Sequence, residues 1–139
     1  GKPIIVIGVL KGSFIFMADL CRQLNMPLTI DFLRIRSYDA AGNRGEIRLE
    51  FDLTMPIKDQ HILVVEDIVD SGHSMDFISK HLHAKEPASL TFCSLLTKKS
   101  KGIKGFDYVG FEIPDKYVIG YGMDLDGRYR NLPYVAYLK

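Results

Sequence analysis

Two cysteines, Cys21 and Cys93, are all that the 139 residues contain. Both sit in apolar contexts with no C-x-x-C spacing, so a disulfide framework is not expected, and two buried thiols in a reducing cytoplasm are. An excess of charge of one sign is also missing. Eighteen basic against seventeen acidic side chains leave a formal net charge of +1. That balance argues against a nucleic-acid surface working by bulk electrostatics and against a polybasic membrane patch. Long apolar runs are lacking too: the longest, residues 4–10, contains a glycine and is far too short to span a bilayer. No signal-peptide pattern, repeat, low-complexity stretch or linker interrupts the chain. Position 1 is not methionine, and Gly1-Lys2-Pro3 leads straight into a buried-looking strand, so an upstream segment is expected. What remains is ordinary for a soluble globular protein: 47% apolar and 25% charged residues, in a length that supports one core and not two.

The periodicities then alternate. Residues 4–9 form a short apolar run rich in β-branched side chains, as in a strand buried on both faces. Lys11-Gly12-Ser13 punctuates it. Residues 14–24 carry helical spacing, with Phe14, Met17, Leu20, Cys21 and Leu24 near one face, and Asn25-Met26-Pro27 ends that helix. Residues 28–36 read as a strand. Ile47, Leu49 and Phe51 alternate with Arg48 and Glu50, the period of a half-exposed strand. The polar, glycine-containing stretch 37–45 between them predicts a long β-hairpin with a mobile tip. Residues 61–65 form another buried strand, 75–83 a helix with Met75, Ile78 and Leu82 inward, and 89–96 a further strand. Shorter strands are predicted at 108–113, 117–121 and 134–138. Strand, helix, strand, helix, strand implies an α/β fold with a mainly parallel sheet flanked by helices. In such sheets ligands bind beyond the carboxyl ends of the strands. Three segments are thereby singled out: Lys11-Gly12-Ser13, residues 66–74, and Thr97-Lys98-Lys99.

The middle segment carries the chemistry. Glu66 and Asp67 end a buried strand, where two adjacent carboxylates are costly to desolvate and repel one another. Something cationic or rich in hydroxyls should meet them. Asp70-Ser71-Gly72-His73-Ser74 follows and opens a helix. Backbone N–H groups at a helix start, a glycine allowing tight curvature and two hydroxyls make an anion cradle. Either half alone has a plain reading, as a solvated strand end or a helix cap. Joined at this spacing, they describe a ribose 5-phosphate site.

Val64-Val-Glu-Asp-Ile-Val-Asp-Ser-Gly-His-Ser74 closely resembles the phosphoribosyl-pyrophosphate motif of type I phosphoribosyltransferases. Further stretches narrow the resemblance to the hypoxanthine-guanine phosphoribosyltransferases: Gly8-Val-Leu-Lys-Gly-Ser-Phe14, Arg36-Ser-Tyr38, Ser94-Leu-Leu-Thr-Lys98 and Val109-Gly-Phe-Glu-Ile-Pro-Asp-Lys-Tyr-Val-Ile-Gly-Tyr121. The similarity runs essentially from end to end. Val69, Ser71 and Ser74 stand as conservative variants, and the N-terminal segment that family members carry before the first core strand is not within residues 1–139.

The resemblance implies one phosphoribosyltransferase domain over residues 1–139, with a core of about 1–97 and a small hood and C-terminal strands over about 98–139. It implies purine salvage: transfer of 5-phosphoribosyl from phosphoribosyl pyrophosphate to N9 of a 6-oxopurine, giving IMP or GMP and pyrophosphate, with Mg²⁺. Glu66 and Asp67 match the residues on the ribose hydroxyls and metal water, and Asp124 the magnesium-side carboxylate near the purine. Lys11 and Gly12 match the pyrophosphate loop, where a non-proline cis peptide at Leu10–Lys11 is expected, and Arg130 matches a second pyrophosphate contact. Lys98 matches the residue that recognises the base. Its ammonium can donate to a 6-oxo group and has nothing to accept from a 6-amino group. Tyr117 offers a ring for stacking and Val118 its backbone for the purine edge. Asp70 is placed to receive the proton lost from the purine. Ser37 and Tyr38 head the hairpin tip and match the lid that excludes water from the cation-like centre. The family commonly forms dimers or tetramers, and a cytoplasmic homo-oligomer without nucleic-acid or membrane partners is expected.

The remaining candidates carry less. His81 and His83 are two apart on a helix and face different directions, so they cannot share a metal, and the His73 ring is given no role. Asp124-Leu-Asp-Gly127 hints at a calcium loop, but no glutamate falls at the closing position. A regulator that binds sugar phosphate without catalysis would need a helix-turn-helix or a basic face, and the chain has room and charge for neither. A receiver-like phosphoacceptor domain gives no reason for the cradle at 70–74, and titration with phosphoribosyl pyrophosphate separates the two. Among transferases the runner-up is a xanthine-preferring or pyrimidine enzyme, and the Lys98 context does not rank hypoxanthine, guanine and xanthine.

Overall fold

A computed structural model describes residues 2–38, 45–98 and 105–139. Its elements follow the order strand β1 (Ile4–Leu10), helix α1 (Phe14–Gln23), β2 (Leu28–Tyr38), β3 (Glu46–Phe51), β4 (His61–Val69), helix α2 (His73–His83), β5 (Ser89–Lys98), β6 (Tyr108–Ile113), β7 (Val118–Ile119) and β8 (Ala136–Tyr137). Six strands form one sheet in the order β3-β2-β1-β4-β5-β6, and β7 and β8 form a separate antiparallel pair. Within the large sheet β2, β1, β4, β5 and β6 are mutually parallel, and only β3 runs antiparallel, beside β2. The mainly parallel α/β fold expected from the sequence is the one observed.

The two helices cover opposite faces, and the alternation of β1 shows why. Ile5, Ile7 and Val9 point into a cluster with Val64, Ile78, Leu82 and Phe92, under α2. Val6 points the other way, with Met17 and Val65, under α1. Ile78 and Leu82 on α2 are fully buried, each contributing roughly 1.5–3 kcal/mol relative to an exposed position. A third cluster of Leu96, Val118 and Met123 fastens the β7 segment onto the end of β5.

Several boundaries differ from the expectations. Strand β4 runs on to Val69, so Glu66 and Asp67 belong to the strand itself and not to a loop after it. Strand β2 continues through Ser37 and Tyr38, paired with Ile47 and Glu46, where a loop was predicted; the remainder of the expected tip, 39–44, lies outside the described residues, as does Lys99. Phe14 is 43% exposed, not inward; the residues of α1 that pack on the sheet are Phe16, Met17, Leu20 and Cys21. Phe51 is exposed as well: a register shift opposite Arg34 and Ile35 puts Arg34 against Phe51 and Ile35 against Leu49, which breaks the period of two at Glu50. Cys93 is buried as expected, whereas Cys21 is only half-buried. Burial raises the pKa of both thiols. Strand β7 covers two residues of the predicted 117–121, and the positive φ of Gly120, Tyr121 and Gly122 ends it.

Candidate active site

The site grows from the ends of two neighbouring parallel strands. After β1 the chain leaves through α1 to β2 on one side; after β4 it leaves through α2 to β5 on the other. The departing loops diverge and open a crevice at the switch point, the usual ligand position in open α/β sheets. Lys11 is exposed there, and the Leu10–Lys11 peptide is cis. Ser13 turns inward, its hydroxyl donating to the Val9 carbonyl at 2.7 Å.

Glu66 is 7% exposed. Burial drives its carboxyl well above the ordinary glutamate range, and the adjacent Asp67 charge adds to the rise. Asp67 is also raised, by burial first. The Ile68 N–H, 2.7 Å from Oδ1, and the Arg130 guanidinium pull it back, while Asp124 pushes it up. The acidic pair is therefore under-solvated and short of cationic or hydroxyl partners. Gly12 lies so close that a Cβ there would sit 1.9 Å from Asp67 Oδ2. Gly122, at φ +100, is pressed onto Gly12 in turn, its absent Cβ 2.3 Å from the Gly12 carbonyl oxygen. Three segments distant in sequence thus stack without room for a methyl group.

Two cavities share one wall. The first, of about 220 Å³, is lined by Glu66, Asp67, Asp70, Ser71, Gly72 and Ser74, with Val9 and Ile35 behind. Gly72 takes φ 78 to turn the chain into α2 and, as the N-cap, brings no side chain to it; the Ser71 hydroxyl accepts the His73 N–H at a long 3.4 Å, and the other N–H groups of the first turn keep the character of an anion site. His73 lines a different groove, with Ile47, Asp76, Phe77 and Lys80. The second cavity, of about 170 Å³, is bounded by Asp67, Ile68 and Asp70 on the shared side and by Lys98, Tyr117, Val118, Met123 and Asp124 on the other. A larger cavity of about 590 Å³ between Leu95, Phe111, Tyr134 and Tyr137 includes none of the residues given a site role from the sequence.

Lys98 reaches the second cavity from the end of β5 with its side chain 11% exposed. Its ammonium lies 3.2 Å from Asp115 Oδ1 and 3.4 Å from Asp70 Oδ2. Burial alone would lower its pKa, but the two carboxylates outweigh burial and the net shift is upward. Tyr117 is 53% exposed and donates its hydroxyl to the Asp124 carbonyl at 2.8 Å. Asp124 accepts the Gly127 N–H at 2.7 Å and lies 3.3 Å from Arg130 Nη2, while Arg130 Nη1 donates to the Gly122 carbonyl at 2.8 Å. The Asp124–Gly127 string is a turn closed by its own aspartate. Val118 is buried, and Ser37 is exposed at the far end of β2.

Sequence reasoning brought out the contiguous 66–74 segment but missed Asp115 and Gly122. Asp115 sits in the Pro-Asp turn after β6, a position indistinguishable from any polar turn until Lys98 is seen beside it. Gly122 had a weak signal in the doublet of glycines around Tyr121.

A family model described as phosphoribosyl transferase domain matches residues 1–126, which puts the crevice among enzymes that transfer a phosphoribosyl group. The hypoxanthine phosphoribosyltransferase of Haemophilus influenzae is 44% identical over 136 residues, covering 96% of this chain and 76% of its own. The hypoxanthine-guanine phosphoribosyltransferase of Mycobacterium avium is 39% identical, covering 99% and 70%. Among solved structures, the Bacillus anthracis hypoxanthine-guanine phosphoribosyltransferase superposes with a TM-score of 0.91 at 41% identity over 100% of this chain and 84% of that one. The Staphylococcus aureus hypoxanthine phosphoribosyltransferase gives 0.93 at 39%, over 100% and 77%. The chain belongs to the hypoxanthine and hypoxanthine-guanine phosphoribosyltransferases of that family.

Proposed function

We propose that the enzyme salvages purines by moving 5-phosphoribosyl from phosphoribosyl pyrophosphate to N9 of hypoxanthine or guanine, releasing IMP or GMP and pyrophosphate. The observation that carries this reading is the pair of adjoining cavities with Asp67, Ile68 and Asp70 in common. One has an anion cradle and a carboxylate pair suited to ribose 5-phosphate. The other has a partly buried, doubly paired ammonium suited to a base. The bond being exchanged lies over their common wall.

Each group has a chemical task. Ser71, Gly72, His73 and Ser74 hold the 5-phosphate through backbone N–H groups and hydroxyls, while Glu66 and Asp67 accept from the ribose hydroxyls. Lys11 and Gly12, with Arg130, bind the departing pyrophosphate. Lys98 stays protonated beside Asp115 and Asp70 and donates to the 6-oxo group, Tyr117 stacks on the ring, and Val118 reads its edge. Asp70 takes the proton released from the purine, within reach of the base that Lys98 orients. Ser37 and Tyr38 lead the lid that keeps water from the cation-like centre.

Among the described residues no three His, Cys, Asp or Glu side chains converge as a metal cage. Magnesium carried in on substrate phosphates needs only one or two carboxylates, the rest being phosphate and water oxygens. Asp67 and Asp124, close enough for the charge of Asp124 to raise Asp67, fit that requirement, with Glu66 behind Asp67. Bound there, the ion would neutralise the leaving pyrophosphate. We read residues 1–139 as a single domain whose stretch 98–139 supplies the hood, acting as a cytoplasmic homo-oligomer. Among the described residues no helix is long and apolar enough to cross a membrane.

The test is an ultraviolet assay with hypoxanthine, guanine, xanthine and adenine in turn, each with phosphoribosyl pyrophosphate, with and without magnesium. Nucleotide formation from the 6-oxopurines and none from adenine is expected, abolished by chelation. Equal rates with adenine would overturn the role given to Lys98.

A further inference from the structure

The hood touches the first strand–helix unit at two adjacent residues. Gly122 presses on the Gly12 carbonyl, and Tyr121 donates its hydroxyl to Asp19 Oδ2 on α1, across 102 positions of sequence. Asp19 Oδ1 is held in turn by Arg22. The two contacts sit on either side of the Lys11–Ser13 loop: one on the loop itself, the other further along the helix that the loop begins. A single contact would let the hood turn pivot on Gly122. The second removes that freedom. On the opposite side Gly12 has Asp67 against it, so the loop is gripped between the acidic wall and the hood turn.

The hood turn is itself stiff. The Tyr121 and Gly122 N–H groups donate to the Leu132 and Arg130 carbonyls at 2.8 and 2.9 Å, and Arg130 returns a bond to the Gly122 carbonyl. Burial first, then the hydrogen bond and charge of Asp19, raise the Tyr121 hydroxyl to about 12. It therefore remains a donor at any pH at which the enzyme works.

We infer that Tyr121 and Asp19 are positioning residues for the pyrophosphate half of the reaction: their hydrogen bond clamps the hood turn over the Lys11–Gly12 loop and sets the loop's fit to pyrophosphate. The inference rests on the placement of pyrophosphate at Lys11–Gly12 proposed above. Neither residue touches substrate. The bond acts through the Gly122–Gly12 contact, so its loss changes how the loop is presented while leaving the purine cavity, built on Lys98 and Val118, as it is.

The test measures KM for pyrophosphate in the reverse reaction with IMP, and for phosphoribosyl pyrophosphate in the forward one, alongside KM for purine and the melting midpoint. Tyr121→Phe removes one hydroxyl and Asp19→Ala removes its acceptor. Both should raise the two pyrophosphate-side KM values by about two- to thirtyfold, the span of coupling through packed networks, with purine KM moving less than about twofold. Asp19→Asn keeps an acceptor oxygen and should stay near the parent. The double variant should be no worse than either single one, because both break the same bond. Unchanged pyrophosphate KM in Tyr121→Phe, equal losses on the purine side, or simple additivity would overturn the clamp. Gly12→Ala separates the two ideas. If it weakens pyrophosphate binding while Tyr121→Phe does not, the clamp alone is wrong. If Gly12→Ala binds pyrophosphate as the parent does, the placement of pyrophosphate fails and the clamp falls with it.

Discussion

Lys98 and Asp70 form an ion pair at 3.4 Å, so in the proposed reaction each side chain would exchange a protein partner for a purine. Lys98→Ala removes the proposed donor to the 6-oxo group. A hydrogen bond to a charged group contributes roughly 1.5–3 kcal/mol, so purine affinity should fall by about one to two orders of magnitude while phosphoribosyl pyrophosphate affinity barely changes. Equilibrium titrations of both ligands check this. Asp70→Asn keeps size and the geometry at the head of the phosphate loop, but an amide does not take up the purine proton. Turnover should drop by roughly 10²–10⁴, typical of a lost general acid–base group, with nucleotide affinity nearly intact. Turnover within a factor of a few of the parent would reduce Asp70 to a loop-shaping role. These residues were legible in the sequence because they lie in one short segment or at the end of one strand. Asp115 was not, since its importance exists only through a contact with Lys98 made from another strand's turn. Phe14 misled for a related reason: helical spacing says which residues share a face, and not which of them the rest of the fold covers.

Among the elements, the segment between β3 and β4 shows how irregular chain is held in place. Asp31 of β2, 4% exposed, accepts the Thr54 N–H at 2.9 Å and the Thr54 hydroxyl at 3.1 Å, and Ile57 is buried beneath. Outside, Asp52 accepts from His81 at 2.9 Å and pairs with Lys85 at 3.3 Å, tying the segment to the last turns of α2. Burial would raise the Asp52 pKa, but hydrogen bonds from His81, the Leu53 N–H and Lys85, with the charge of His81, outweigh it and the net shift is downward. A folded-state pKa below the unfolded one means that the native protein binds fewer protons in that range. The stabilisation is present above the ordinary aspartate range and is lost as pH falls through the depressed value. Asp52→Asn should accordingly melt lower than the parent near neutrality, and the gap should close as pH falls below the ordinary aspartate value of about 3.9. Melting curves across that window decide it; a gap independent of pH would remove Asp52 as its source. The elements themselves were readable wherever periodicity ran for several residues, as in β1 and α2. They were least readable in the hood, where positive φ at Gly120, Tyr121 and Gly122 cuts a predicted five-residue strand to two.

Taken as a whole, the molecule grades from long, fully laddered central strands to short, lightly paired ones near its C-terminus. Strands β1, β4 and β5 carry Val6, Ile7, Val64, Val65 and Phe92, all buried, whereas β7 and β8 pair with each other over two residues apiece. Amide exchange should follow this order, slowest in β1 and β4 and fastest in the β7–β8 pair. Phosphoribosyl pyrophosphate at about a hundred times its dissociation constant adds roughly 2.7 kcal/mol to the global stability, and should slow exchange most around residues 70–75 and at Gly12. Uniform protection across hood and core would contradict that gradient. The sequence made the fold class and the site's central segment plain, but the gradient is a property of packing between distant segments and had no local signature. The wall that Asp67, Ile68 and Asp70 present to both cavities has a practical consequence for inhibitor chemistry. The two chambers, of about 220 and 170 Å³, adjoin, so a single compound with a phosphate at one end, a 6-oxopurine at the other and a short uncharged linker across the carboxylates spans both. Joining the ends replaces a second bimolecular encounter with an intramolecular one, at an effective concentration in the millimolar range for a short flexible linker. Such a compound should outbind either fragment by orders of magnitude, and a linker too short to cross the wall should forfeit that gain entirely.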